Sequence, residues 1–254
     1  MPISATRRMM AGGGGTGARG IKFTPDANTV LWLPGQDDAY SATIRDRSGF
    51  NNHGTITGAT WTRLPSGLWA QNFTAQGQFI TVADVPSLSA FTAITVELWI
   101  KTGNTTNYGN LASKYYQSTL REWNLMQRQT GAPGAGARFD VYDQSANANI
   151  GVYSNDQTKP VNNVWTHMVA TWSGGNYTTM AMYFNGIAET LVDGTGGTFV
   201  AVEDLAVDVV WGRQQNLTAR DYVGQQALQR IYNRALSPSE VLSHYQQERY
   251  LIGV

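Results

Sequence analysis

The sequence predicts an all-β fold, an antiparallel sandwich or barrel, and three observations carry that prediction. First, the run VWTHMVATWSGGNYTTMAMYFNGI, ending at Ile187, alternates from Trp165 to Trp172, breaks at Ser173-Gly174-Gly175-Asn176, and alternates again from Thr178 to Phe184. Met180, Met182 and Phe184 fall on one side of that second strand, Thr179, Ala181 and Tyr183 on the other. It stops at Asn185-Gly186, a pair suited to a two-residue hairpin turn because both residues tolerate positive φ. Second, short alternating or apolar runs recur along the chain, and helical periodicity is scarce. Third, 27 glycines and only 14% charged residues among 254 fit many turns and a neutral surface, and all-β sandwiches often reach this length as one domain.

Composition also excludes functions. Eighteen basic residues balance eighteen acidic ones, which argues against nucleic acid as the partner, because phosphate binding needs a basic footprint. The absence of cysteine excludes disulfides, zinc–thiolate sites and thiol nucleophiles. No apolar run nears the ~18–20 residues of a membrane helix. Residues 1–20 lack the apolar h-region of an export signal. The expectation is a soluble chain with neither a membrane nor a nucleic acid partner.

In chain order, residues 1–20 (MPISATRRMMAGGGGTGARG) read as a flexible, Gly-rich, basic arm that cannot bury enough apolar surface to fold alone. It is either a disordered leader or an anchor that orders against a neighbouring subunit. Residues 21–254 form the domain. Thr29–Leu33 is a short apolar strand ended by Pro34-Gly35, and Gly54–Trp61 reads as a strand pair or bulge. Leu68–Phe73 and Gln78–Val82 flank Thr74–Gly77, which predicts a hairpin. Thr95–Lys101 alternates cleanly, with Val96, Leu98 and Ile100 inward and Glu97 and Lys101 outward. Gly103–Tyr116 reads as a loop rich in Asn, Thr and Tyr. Trp123–Gln127, Phe139–Tyr142, Asn149–Tyr153 and Ala206–Trp211 are strands, and Asp221–Ile231 supplies the last one with weaker alternation. The one helix is Pro238–Glu248. Ser237-Pro238-Ser239-Glu240 is a capping box with proline at the first helical position, and Val241, Leu242 and Tyr245 make an apolar stripe. Such a helix is expected to plug one edge of the sandwich.

Four of these segments together resemble laminin G-like domains of the concanavalin A-like lectin/glucanase superfamily. They are Asp46–Gly54 (DRSGFNNHG), Thr95–Lys101 (TVELWIK), the Trp165–Gly186 hairpin, and Ile231–Ser237 (IYNRALS), spanning roughly Thr29–Tyr245 in the family's order. The resemblance implies a concanavalin A-like jelly-roll sandwich of two antiparallel sheets with one short C-terminal helix. It implies no single activity, so sites must be argued from residues.

Catalysis is not expected. Glucanases of this superfamily carry E-x-D-x-x-E along one strand, whereas Glu97 stands alone here and His53, His167 and His244 are scattered. Calcium is the candidate cofactor. The resemblance points to the acid- and amide-rich loop containing Asp38, Asp46 and Asn51 as its ligands. Alanine stands at 227, where relatives commonly carry an acid, and this favours the alternative that Asp46 and Asn51 cap their own turns. For carbohydrate, Tyr108, Tyr115, Tyr116 and Trp123 surround an Asn/Thr-rich loop and offer rings to sugar C–H faces, although Trp123 also suits a core strand.

The expected function is a non-catalytic surface protein: a virion (phage) decoration or fibre-like protein, held to other particle subunits by residues 1–20 and adhering to glycans. The alternative is a secreted, stand-alone carbohydrate-binding module in an extracellular setting. Homo-oligomers, trimers and larger rings alike, remain open.

Overall fold

The computed structural model describes residues 23–35, 40–103, 108–116, 119–128, 136–156, 158–215 and 220–254. The expected arm, residues 1–20, lies outside them. The chain opens with strands β1 (Thr29–Leu33), β2 (Thr43–Ile44), β3 (Gly54–Thr57), β4 (Thr60–Arg63), β5 (Trp69–Phe73) and β6 (Phe79–Val82). Longer strands follow: β7 (Ile94–Thr102), β8 (Gly109–Tyr116), β9 (Leu120–Arg128), β10 (Gly136–Asp143), β11 (Ala148–Ser154) and β12 (Trp165–Trp172). The chain closes with β13 (Met180–Phe184), β14 (Ile187–Ala188), β15 (Leu191–Asp193), β16 (Val209–Trp211), β17 (Gly224–Tyr232) and the helix α1 (Pro238–Ile252).

These strands form two antiparallel sheets, a jelly-roll sandwich. Sheet A runs β14-β13-β12-β7-β17-β5-β4, with β1 also paired to β17; sheet B runs β15-β11-β10-β9-β8-β16-β6-β3-β2. The core lies between them. Val96, Leu98, Ile100, Met168, Met182 and Phe184 enter it from sheet A, and Trp123, Leu125, Phe139, Val141 and Trp211 from sheet B. Each such side chain contributes about 1.5–3 kcal/mol by leaving water. The central hairpin forms as its alternation predicts, β12 pairing with β13 from Met168↔Phe184 to Trp172↔Met180.

Three segments differ from the sequence reading. Thr74–Gly77 is not a hairpin, because β5 belongs to sheet A and β6 to sheet B. Likewise, β3 and β4 pair in opposite sheets, not with each other. Most of the segment read as a loop before Tyr116 is strand β8, paired to β9 on one side and β16 on the other. The Gly, Asn, Ala and Lys of β8 hid the pattern, because ladder pairing on both sides compensates for their poor strand propensity.

A register shift in each sheet turns one row of side chains over. In sheet A, Ala227 pairs with Trp99 but Arg230 with Glu97, so β17 carries one extra residue, next to Leu228 at φ 54°. Without that bulge Arg230 would point into the core. In sheet B, Lys114 pairs with Trp123 but Tyr115 with Arg121, which leaves Glu122 extra. Glu122 is drawn to the buried Lys114 ammonium, which also meets Asp84 at 2.9 Å and Ser89 Oγ at 2.9 Å. Burial pushes the Glu122 carboxyl up to about 7 against the pull of Lys114.

The helix starts where the capping box predicts and runs four residues further than expected, to Ile252. It does not plug an edge. It lies across the outer face of sheet A, with Leu251 and Ile252 packed among Leu64, Leu68, Trp99 and Ala227. Leu242, expected in its buried stripe, is exposed, whereas Val241 and Glu248 are buried. The helix is too short and polar to cross a membrane.

Candidate functional site

On β10, Ala137, Phe139 and Val141 point inward, so Arg138, Asp140 and Tyr142 stand together on the outer face of sheet B. Register places Asn124 of β9 opposite Asp140 and Met126 opposite Arg138. Lys114 faces the core opposite Trp123, so Tyr115 stands outward beside Tyr142, with ring centroids 5.3 Å apart in an edge-to-face pair. The β9 bulge turns Arg121 outward with it. With Tyr108, Gln214 and Arg220 these residues line a depression of about 230 Å³.

Its floor is fixed by hydrogen bonds. Arg138 grips Asp140 in a fork, Nε to Oδ2 at 2.6 Å and Nη2 to Oδ1 at 2.8 Å, and Asn149 Nδ2 adds a donor to Oδ1 at 3.1 Å. Gly151 pairs directly with Asp140, and a Cβ there would collide with Oδ1. Arg121 lies over the Tyr142 ring at 5.2 Å, held by Gln144 at 2.8 Å and Asn147 at 2.7 Å. Arg220 lies over Tyr108 at 5.6 Å. Burial, with Asp140 and Tyr115 nearby, holds the Tyr142 phenol well above its ordinary range, so it stays a neutral hydroxyl. Asn124 is only 1% exposed, and its side-chain oxygen accepts no hydrogen bond among the described residues. A buried amide oxygen left so costs about 1–3 kcal/mol, which a ligand donor would recover.

The expected sugar residues divide. Tyr108 and Tyr115 join the depression; Tyr116 does not line it, and its strand end bridges to Gln215. Trp123 is a correction, because it is buried in the core and faces away from the depression. The sequence reading missed Asn124, Arg138, Asp140, Tyr142 and Arg220. The first four were legible in the polar phase of strands whose apolar phase was read.

The loop expected to hold calcium is organised otherwise. Asp46 Oδ1 accepts from the amides of Trp32 at 2.9 Å and Ser48 at 2.8 Å. Its Oδ2 accepts from Ser48 Oγ at 2.6 Å and the Asn52 amide at 2.9 Å. With both oxygens committed to turn donors, the carboxylate does not fit a cation site. Asn51 is exposed at φ 61°, and Asp38 lies outside the described residues.

Glu97 and the histidines are a further correction: Glu97 does not stand alone. Under α1 it meets His167 Nε2 at 2.8 Å, His244 Nδ1 at 3.0 Å and the Tyr232 hydroxyl at 2.9 Å. Arg230 Nη1 lies 3.3 Å from Glu97 Oε2, and Nη2 bonds Glu248, which also accepts from Trp99 Nε1 at 2.8 Å. Glu97, His167 and Glu248 are close enough to ligate a metal, but the Arg230 guanidinium already bridges the two carboxylates. A second concavity, about 450 Å³ around Phe91, Trp172 and Phe199, is mostly apolar.

Comparison with known proteins agrees with this architecture. Residues 74–242 match the family model described as the Concanavalin A-like lectin/glucanases superfamily. No curated protein matches the chain by sequence. Among solved structures, the chain is similar to domain 4 of AbnA, a GH43 extracellular arabinanase from Geobacillus stearothermophilus, in complex with arabinotriose. The TM-score is 0.63 and the identity 19%, covering 86% of this chain and 98% of that one. The ligand-binding domain of botulinum neurotoxin serotype D, in complex with N-acetylneuraminic acid, gives 0.63 and 17%, covering 86% and 50%. The binding domain of Paraclostridial mosquitocidal protein 1 gives 0.63 and 17%, covering 86% and 52%. The chain thus spans about half the length of these two toxin domains.

Proposed function

The chain belongs to the concanavalin A-like lectin/glucanase superfamily, and we propose that it is a non-catalytic member that binds glycans in the sheet B depression. The observation that carries this reading is the Asn124 oxygen, buried and unpaired in a hollow walled by Tyr108, Tyr115 and Tyr142. Sugars present the matching chemistry: apolar C–H faces for rings, and hydroxyl donors for a waiting acceptor. Two structural neighbours hold arabinotriose and N-acetylneuraminic acid, which supports a saccharide as the ligand class. The non-catalytic part rests on the carboxylates. Glycoside hydrolysis needs two of them flanking an open substrate. Glu97 is closed beneath α1, and Asp140 is locked by Arg138.

A glycan array read with and without EDTA tests this. Binding is expected in both conditions, since Asp46 is committed to its turn. Asn124→Leu and Tyr142→Ala should abolish it while circular dichroism stays unchanged. Full binding by both folded variants would remove the site.

We further propose surface display on a virion, with residues 1–20 as the tether; their basic, glycine-rich composition supports an anchor that orders against another subunit. Deleting them should leave the domain folded and abolish incorporation into the particle. Normal incorporation would remove residues 1–20 as the tether, and absence of the full chain from any particle would return the reading to a secreted carbohydrate-binding module.

A further inference from the structure

We infer that the sheet B depression selects acidic glycans, those whose sugars carry carboxylate groups. This deepens the proposed function and rests on it. The argument is the local charge. The whole chain is neutral, with 18 basic and 18 acidic residues. Around the depression three arginines meet one acid, and that acid is already spent: Asp140 is held by the Arg138 fork and by Asn149. The other two guanidinium groups have no carboxylate within ion-pair distance among the described residues. Arg220 rests on the Tyr108 ring, and Arg121 on the Tyr142 ring between two neutral amides.

Set over its ring, the Arg220 guanidinium presents an edge to a planar, two-oxygen acceptor. Arg121, with Nε and Nη2 engaged by Gln144 and Asn147, offers its Nη1 side, and stacking limits the freedom lost on binding. The two cations stand beside different rings of the platform, Tyr108 and Tyr142. A sugar seated over Tyr115 and Tyr142, donating to Asn124, therefore has a cation beside either ring for its own carboxylate or for the next residue's. Neutral sugars would use the rings and Asn124 but leave both charges unanswered. The Tyr142 phenol, kept neutral, adds no opposing charge.

The test is an array in which each uronate- or sialate-bearing glycan is printed beside its carboxyl-reduced form. It is read at low and high salt with the full chain and with Arg220→Gln and Arg121→Gln, both outside the core. The expected result is binding to acidic members, about ten-fold weaker for the reduced forms and for either variant, and weakened by salt. Equal binding of acidic and reduced forms, abolished by Asn124→Leu, overturns this inference and leaves the glycan site standing. Binding to neither form, by a folded chain, overturns both.

Discussion

The two outer faces of the sandwich carry similar residues and have opposite fates. Sheet A presents Glu97, Arg230, His167, Trp99 and Tyr232; sheet B presents Asp140, Arg138, Asn124, Tyr115 and Tyr142. Each face depends on a bulge that turns a residue outward, Arg230 in one and Arg121 in the other. Over sheet A the helix α1 adds Glu248, His244 and Tyr245 and closes the network from water. No described helix lies over sheet B. A closed polar network holds structure together, because every group that loses its partner stays buried. An open one with an unpaired acceptor can take a ligand. The cover, more than the residue types, separates scaffold from site.

The largest expected effect lies on the closed face. Arg230→Met takes the guanidinium from between Glu97 and Glu248 in a space shut to water. Breaking a buried pair in this way costs about 3–5 kcal/mol. Urea unfolding followed by tryptophan fluorescence should show that loss, while the folded fraction still binds glycan. A loss below about 1 kcal/mol would mean that water reaches the network and that the two faces are less different than argued. Acid should act at the same place. Burial alone would raise the Glu97 carboxyl, but Arg230, His244 and the His167 hydrogen bond outweigh it and hold it well below its ordinary 4.5. A carboxyl lowered on folding adds stability above its unfolded value and loses it as pH falls toward the folded one. Stability should therefore drop steeply below pH 4.5, and Glu97→Gln, weaker at neutral pH, should be flatter there.

On the open face the sharper probe is Gly151→Ala. Gly151 has an ordinary strand conformation; what it supplies is space for the Asp140 carboxylate. A methyl group must push Asp140 off the Arg138 fork, at about 1–3 kcal/mol for overpacking. Glycan binding should fall with it, in contrast to Arg230→Met, which harms the fold and spares the site. Unchanged affinity, measured by calorimetry, would show that the Asp140 floor plays no part in holding the ligand.

The fold was legible because alternation and turn chemistry are local. Val96, Leu98 and Ile100 mark the core side of β7 without help from the rest of the chain, and Asn185-Gly186 marks its turn. The site was half legible. Tyr108 and Tyr115 were found as aromatics in polar surroundings, but Trp123 could not be told from them, since only the sheet's other layer makes it core. Glu97 shows the limit most clearly. Its partners lie 70, 133, 135 and 147 positions away in sequence, and one of them, Arg230, reaches it only through a bulge that breaks the alternation. The histidines looked scattered for the same reason. On α1, however, Val241, His244 and Glu248 recur at helical spacing, and a reading of that polar stripe would have placed His244 and Glu248 beneath the helix.

The smallest effect tests whether the cover is separable from the site. Ser237 Oγ accepts from the Glu240 amide at 3.3 Å, and Glu240 returns a bond from the Ser237 amide at 2.8 Å. The Arg234 hydrogen bond and ion pair hold the Glu240 carboxyl down to about 2, so this box stays intact across the neutral range. Ser237→Ala removes one half of it and should cost about 1 kcal/mol, read as a lower urea midpoint. The helix rests on sheet A, and the whole core lies between it and the tyrosines of sheet B. Mutations so separated should act independently, so glycan affinity should stay within about two-fold of the parent. A larger change would show that the helix reaches the depression through the packed layers, and the closed face would then be part of the binding apparatus, not only of its support.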